Sequence, residues 1–216
     1  MKIALVGYRK WALDIYDNVS KDSFHEFIRF NSKEDFSEDE IDRFQPDFIL
    51  FYGWSWIINE NLVKNYKCIM LHPSPLPKYR GGSPIQNQII RGETVGAVTI
   101  FLMDSGVDTG PIIAQEEISL LGSLDEIFKR ITDVGSKLTS EFISNGYKLK
   151  VQDHTHATSF KRRKESDSEI SLEEITTKDS TYLVNKIRML QDPYPNPFIK
   201  TIDGKKLIIL KVNIEE

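Results

Sequence analysis

An α/β fold built on a mostly parallel sheet is predicted by three observations. Short, unbroken apolar runs recur at residues 2–7, 47–52 and 67–71, and such runs read as strands buried on both faces. Segments of helical character separate them at the spacing of βαβ units. Near residue 92 the pattern changes to two β-rich runs joined by a loop of glycines and aspartates, the sequence of adjacent strands around a tight turn.

The elements follow in order. The first run ends at Gly7, which suits a strand entering a turn. Residues 10–19 read as a helix, 25–30 as a strand and 37–44 as an acidic helix. Pro46 punctuates the entry to the strand at 47–52, and a helix over 59–65 leads to the strand at 67–71. Residues 94–103 and 111–119 are expected as neighbouring, antiparallel strands. The longest helix is predicted over 123–145, where Leu124, Ile127, Ile131, Val134, Leu138 and Phe142 fall at helical intervals, Ser123 is the N-cap and Gly146 the stop. Residues 152–180 are polar and charged. A helical pattern over 182–190, a proline cluster and two strand-like runs around Asp203-Gly204 follow. This predicts a core over 1–150 and a small, β-containing C-terminal subdomain over 151–216 packed against it.

Bulk properties narrow the function. The 216 residues are 40% hydrophobic and 28% charged, a composition that folds around one principal core. The formal charge of -4, from 28 basic and 32 acidic residues, supplies no global positive field for a nucleic-acid backbone, so nucleic acid is not an expected partner. The single cysteine, Cys68, lies in an apolar run and reads as a buried, inert thiol. No apolar segment reaches membrane-spanning length and the short N-terminal run is too brief for a signal core, so a cytoplasmic protein is expected.

The chemistry concentrates in His72-Pro73-Ser74-Pro75-Leu76-Pro77-Lys78-Tyr79-Arg80-Gly81-Gly82-Ser83-Pro84, directly after a predicted buried strand. Ligands of α/β sheets bind beyond the carboxyl ends of the strands. The prolines stiffen this loop, and the glycines let it bend or approach a ligand closely. His72 opens it, where an imidazole can exchange protons near neutral pH. Asp108 sits in the second glycine-punctuated loop, where a carboxylate could orient His72; spacing alone favours turn hydrogen bonds for it and for Asp104.

The stretch from His72 to Gly110 resembles the signature of the folate-dependent formyltransferases. The matching residues are His72-Pro73-Ser74, Leu76-Pro77, Tyr79-Arg80-Gly81, Pro84-Ile85, Gly92-Glu93, the run from Gly96 to Ile100, Met103 and Asp108-Thr109-Gly110-Pro111. The resemblance extends more weakly to the start of the chain, Ile187-Arg188 and Pro193-Tyr194-Pro195. It implies a Rossmann-like formyltransferase core. It further implies N10-formyltetrahydrofolate as co-substrate, His72 and Asp108 as catalytic residues, and a pterin held largely by backbone groups near Met103, Asp104, Ser105, Gly106 and Val107. One family position departs: where relatives carry an asparagine two residues before the histidine, this chain has Met70, whose thioether cannot donate a hydrogen bond. Gln86 and Asn87 are the nearest amides that could replace it.

The acceptor amine is set outside the signature. Gly7-Tyr8-Arg9-Lys10-Trp11 differs from the glycine- and serine-rich phosphate loop of relatives that formylate glycinamide ribonucleotide, and the acidic balance disfavours transfer RNA. The chain is most similar to enzymes formylating nucleotide-linked 4-amino-4,6-dideoxyhexoses, with UDP expected ahead of dTDP and a homodimer as the family precedent. Aromatics at Tyr8, Trp11, Trp54, Trp56, Tyr79 and Tyr194 are candidates to stack on base or sugar, though Trp54 and Trp56 equally suit core and rim packing. Arg9, Lys10, Arg80 and Arg188 are candidates for a diphosphate, with Gly81 and Gly82 allowing close approach. A binding protein that has lost catalysis, or a hydrolase releasing formate, are the competing classes. His154 and His156 could alternate along a strand, yet no third ligand accompanies them, so no metal is expected. Lys161-Arg162-Arg163-Lys164, flanked by Glu165 and Asp167, reads as a solvated surface run.

Overall fold

In the computed structural model, which describes residues 1–21 and 24–215, the first half alternates strand and helix as the apolar runs predict. The order is β1 (Lys2–Val6), α1 (Lys10–Ser20), β2 (Glu26–Phe30), α2 (Glu38–Phe44), β3 (Phe48–Tyr52), α3 (Glu60–Asn65) and β4 (Cys68–His72). Next come β5 (Arg80–Gly81), α4 (Pro84–Ile89), β6 (Val95–Leu102), β7 (Ile112–Ser119) and α5 (Leu124–Asn145). The rest comprises β8 (Ser159–Phe160), α6 (Leu172–Thr177), α7 (Ser180–Arg188), β9 (Phe198–Lys200) and β10 (Lys206–Ile208).

The main sheet has the order β2-β1-β3-β4-β6-β7. Its first four strands are parallel, whereas β6 runs antiparallel to both β4 and β7. Alternation along β1 shows why its run is continuously apolar. Ile3 and Leu5 face a core shared with Ile15 and Tyr16 of α1 and Ile131 and Leu138 of α5, while Ala4 and Val6 face a second core with Ile41 of α2 and Leu62 of α3. Buried Tyr16 ties the inner strands together: its hydroxyl oxygen accepts from Tyr52 N at 2.9 Å and lies 2.7 Å from Leu50 O. The long helix starts as its sequence predicts, with Ser123 and Glu126 exchanging side-chain-to-backbone bonds in a capping box.

Three features differ from the sequence reading. Residues 84–89 form the helix α4, and residues 172–177 form α6 inside the stretch read as merely polar. His154 and His156 lie in a single 3-10 turn rather than on a strand, because Asp153 caps that turn by accepting from Thr155 N at 3.0 Å. Residues 159–160 pair in parallel with residues 80–81, which anchors the segment after the core onto the loop that follows β4.

Candidate active site

The loops leaving β1, β3 and β4 open on one edge of the sheet; the turn joining β6 to β7 leaves β6 beside the start of β4, where Met103 N donates to Cys68 O, and brings Asp108 back to His72. Together they enclose a cavity of about 680 Å³.

His72, the last residue of β4, is 5% exposed on that cavity's wall. Its Nε2 lies 2.8 Å from Tyr79 O. A carbonyl only accepts, so Nε2 is the ring nitrogen that donates here. Nδ1 in turn faces Asp108 Oδ2 at 3.5 Å. The β6–β7 turn places Asp108 in the left-handed region, φ 53°, a conformation that aspartate tolerates and most other side chains avoid. The carboxylate is fixed there: Oδ2 accepts from Gly81 N at 2.7 Å, and Gln152 Nε2 donates to the backbone carbonyls of Asp108 and Gly110 at 3.0 and 2.7 Å. The turn reading applies instead to Asp104, whose Oδ1 accepts from Gly106 N and the Thr109 hydroxyl.

Strand alternation puts Met70 on the same side of β4 as His72, and both line the cavity. Gln86, on α4, also lines it. Only 2% of Gln86 is exposed, and its Nε2 is buried without a hydrogen-bond partner. Tyr194 stands beside that amide; burial holds its phenol above the ordinary range, against the pull of Gln86, Arg9 and Arg162 nearby. Met103, Asp104, Ser105, Gly106 and Val107 line another stretch of wall, as do Trp11, Trp54, Trp56, Gly81, Gly82, Arg9 and Tyr194.

Six sequence candidates lie off the cavity wall, each for a visible reason. Arg80 is buried and donates through Nε and Nη2 to Gln152 Oε1 at 3.2 and 2.6 Å, which makes it a brace behind Asp108. Tyr79 stacks on Phe160 and donates its hydroxyl to Glu93 at 2.8 Å. Tyr8 sits behind Trp54 and Trp56, its hydroxyl 2.7 Å from Ser55 Oγ. Asn87 donates to Gly82 O, Lys10 pairs outward with Asp14, and Arg188 caps the carbonyls of Leu120 and Gly122. Two contributors escaped the sequence reading: Gln152, and the basic run, of which Arg162, Arg163 and Lys164 line the cavity.

A family model described as Formyl transferase matches residues 16–143. A methionyl-tRNA formyltransferase of Sulfurimonas denitrificans is 32% identical over 172 residues, 78% of this chain and 54% of that protein. The chain thus spans about half the length of the curated relatives it matches. Among solved structures, a methionyl-tRNA formyltransferase from Clostridium thermocellum superposes with TM-score 0.85 and 29% identity, covering 97% of both chains. A 4-N formyltransferase from Francisella tularensis shares the fold with TM-score 0.76 at 20% identity, covering 100% of this chain and 98% of that one.

Proposed function

We propose that this chain, which belongs to the formyl transferase family, moves the formyl group of N10-formyltetrahydrofolate onto the amine of a nucleotide-linked 4-amino-4,6-dideoxyhexose. The observation that carries the reading is His72 on the cavity wall, its Nε2 held by Tyr79 O and its Nδ1 3.5 Å from the fixed Asp108 carboxylate.

The chemistry follows from that placement. The amine nitrogen attacks the formyl carbon, a C–N bond forms, and the carbonyl electrons move onto oxygen. The amine's surplus proton passes to His72 Nδ1, and the imidazolium so formed sits against Asp108. Collapse of the tetrahedral species breaks the bond to N10, which takes the proton back and leaves as tetrahydrofolate. Gln86 supplies the amide donor for the oxyanion that Met70 cannot supply, since its Nε2 is an unpartnered amide donor on the wall. The loop Met103–Val107 takes the pterin. Trp54 and Trp56 border the acceptor's side, which suits a base or sugar ring.

A second acceptor, methionyl-tRNA, is favoured by the names of the sequence relatives. The net charge of -4 argues against it. Tetrahydrofolate release from N10-formyltetrahydrofolate, followed by absorbance, separates the readings. Turnover is expected with one UDP- or dTDP-linked amino sugar and not with His72→Ala. Turnover with methionyl-tRNA alone overturns the sugar reading, release without any acceptor indicates a hydrolase, and binding without release indicates a protein that only binds.

A further inference from the structure

The basic run at residues 161–164 looks neutralised in sequence by Glu165 and Asp167, and the fold undoes that neutralisation. Glu165 is drawn off to Lys206. Asp167 turns its carboxylate to the backbone N–H of Lys164, at 2.7 Å. The pairing of β5 with β8 then lays the run along the cavity. Gly82 N donates to Phe160 O at 2.8 Å, Arg163 N donates to Ser83 Oγ at 3.1 Å, and Gly82 lets the backbone of Arg162 pass where a side chain would stand.

Besides Lys64, which pairs with Glu60, four cations line the wall: Arg9, Arg162, Arg163 and Lys164. None of them forms an ion pair with a carboxylate among the described residues. The carboxylates on the same wall are all committed elsewhere, Glu60 to Lys64, Asp104 to its own turn and Asp108 to His72 and Gly81. Uncompensated like charges gathered in a cleft raise the local concentration of anions and favour an anionic ligand. Arg9 and Arg162 share neighbours. Both act on the Tyr194 phenol, the Arg9 guanidinium lies 4.8 Å from the Tyr8 ring centre and 5.4 Å from that of Tyr194, and Arg162 Nη2 donates to Ser55 Oγ at 2.8 Å. The Tyr8 ring that Arg9 covers packs against Trp54 and Trp56, and both indoles line the same wall.

We propose that Arg162 and Arg9 hold the diphosphate of a nucleoside-diphosphate-linked acceptor at this end of the cavity. The planar guanidinium forks suit phosphate oxygens, and the adjoining rings suit a nucleobase. The assignment deepens the acceptor reading above and rests on it.

Tryptophan fluorescence and calorimetric titrations with UDP, dTDP, uridine and inorganic pyrophosphate test the site. They are run on the unmodified protein and on Arg162→Gln, Arg162→Lys, Arg9→Gln and, as an off-wall control, Lys161→Gln, with 5-formyltetrahydrofolate binding as the check that the core is intact. UDP or dTDP is expected to bind the unmodified protein and to be displaced by pyrophosphate. Each Gln variant should weaken that binding roughly tenfold or more, with Arg162→Lys intermediate, Lys161→Gln silent, and uridine and folate binding unchanged throughout. Equal nucleotide affinity across all variants overturns the diphosphate site and leaves the acceptor reading standing. Failure of the unmodified, folate-binding protein to bind either nucleotide overturns both, including when the same substitutions weaken binding of methionyl-tRNA.

Discussion

Tyr79 O, 2.8 Å from His72 Nε2, turns the imidazole so that Nδ1 faces Asp108. Asp108→Asn keeps an oxygen for Gly81 N but removes the charge that stabilises the imidazolium. It is therefore expected to lower kcat by roughly 10²- to 10⁴-fold while leaving thermal stability within about 1 kcal/mol; a variant with unchanged kcat and lost stability would make the carboxylate purely structural. Gln86 gives a prediction of opposite signs. Its buried, unpartnered Nε2 costs about 1–3 kcal/mol, so Gln86→Leu should melt higher. If the same N–H meets the oxyanion, kcat falls roughly 10²- to 10³-fold. A stabilised variant with full turnover would exclude Gln86 as the donor. Cys68 is the inert residue of the set: burial pushes its thiol up to about 12, with Leu62 O 3.6 Å from the sulfur. A disulfide reagent at pH 8 should leave it unmodified in the folded protein and label it in denaturant, and fast native labelling would contradict that burial.

At the scale of elements, the approach of β8 to β5 depends on one missing side chain. A Cβ on Gly82 would stand 2.3 Å from both the Cα and the N of Arg162, and backbone cannot yield as a side-chain tip does. Gly82→Ala should detach residues 158–164 and cost about 2 kcal/mol. Amide exchange over that segment would accelerate while exchange in β1 and β3 stays slow, and uniform protection would refute the dependence. This pairing was invisible in the sequence because it joins dipeptides 79 residues apart, neither long enough to carry a periodic signal. The helix α4 was missed for a different reason. Only Ile85 and Ile89 give it an apolar spacing, a single pair too short to read as a period, and the buried residues between them are amides: Gln86, Asn87 and Gln88, the last two donating to the carbonyls of Gly82, Pro73 and Pro84. By contrast β1, β3 and β4 were legible because burial on both faces demands continuous apolar sequence, and α5 because its capping box and period agree. His72 and Asp108 were legible as a motif; Gln152, which steadies Asp108, was not, since a lone glutamine beyond the core carries no pattern.

At the scale of the whole molecule, protons held inside the sheet govern behaviour in alkali. Burial raises the phenols of Tyr16 and Tyr52 well above 10.0 and the Cys68 thiol from 9.0 to about 12. These groups lie in both cores, Tyr16 and Tyr52 in one and Cys68 in the other. In the unfolded chain each loses its proton near its ordinary value; in the folded chain each keeps it, so above that value the native state binds more protons than the unfolded one. Their stabilising contribution is complete below pH 9 and is lost as pH rises toward the folded values. Once a group is ionised in the unfolded chain alone, it lowers the unfolding free energy by about 1.4 kcal/mol per pH unit. The melting temperature should therefore fall steeply between pH 10 and 12. Tyrosinate absorbance of the eight tyrosines should also rise in stages, with Tyr79 and Tyr182 held up to about 12 by burial and a neighbouring glutamate, and Tyr16 and Tyr52 ionising only together with the loss of the far-ultraviolet dichroism. Mutating either to Phe removes its proton linkage and should flatten the decline by one group's worth. A single titration of all eight near pH 10 with the dichroism intact would mean that these phenols reach water without unfolding, and that the sheet does not close over them.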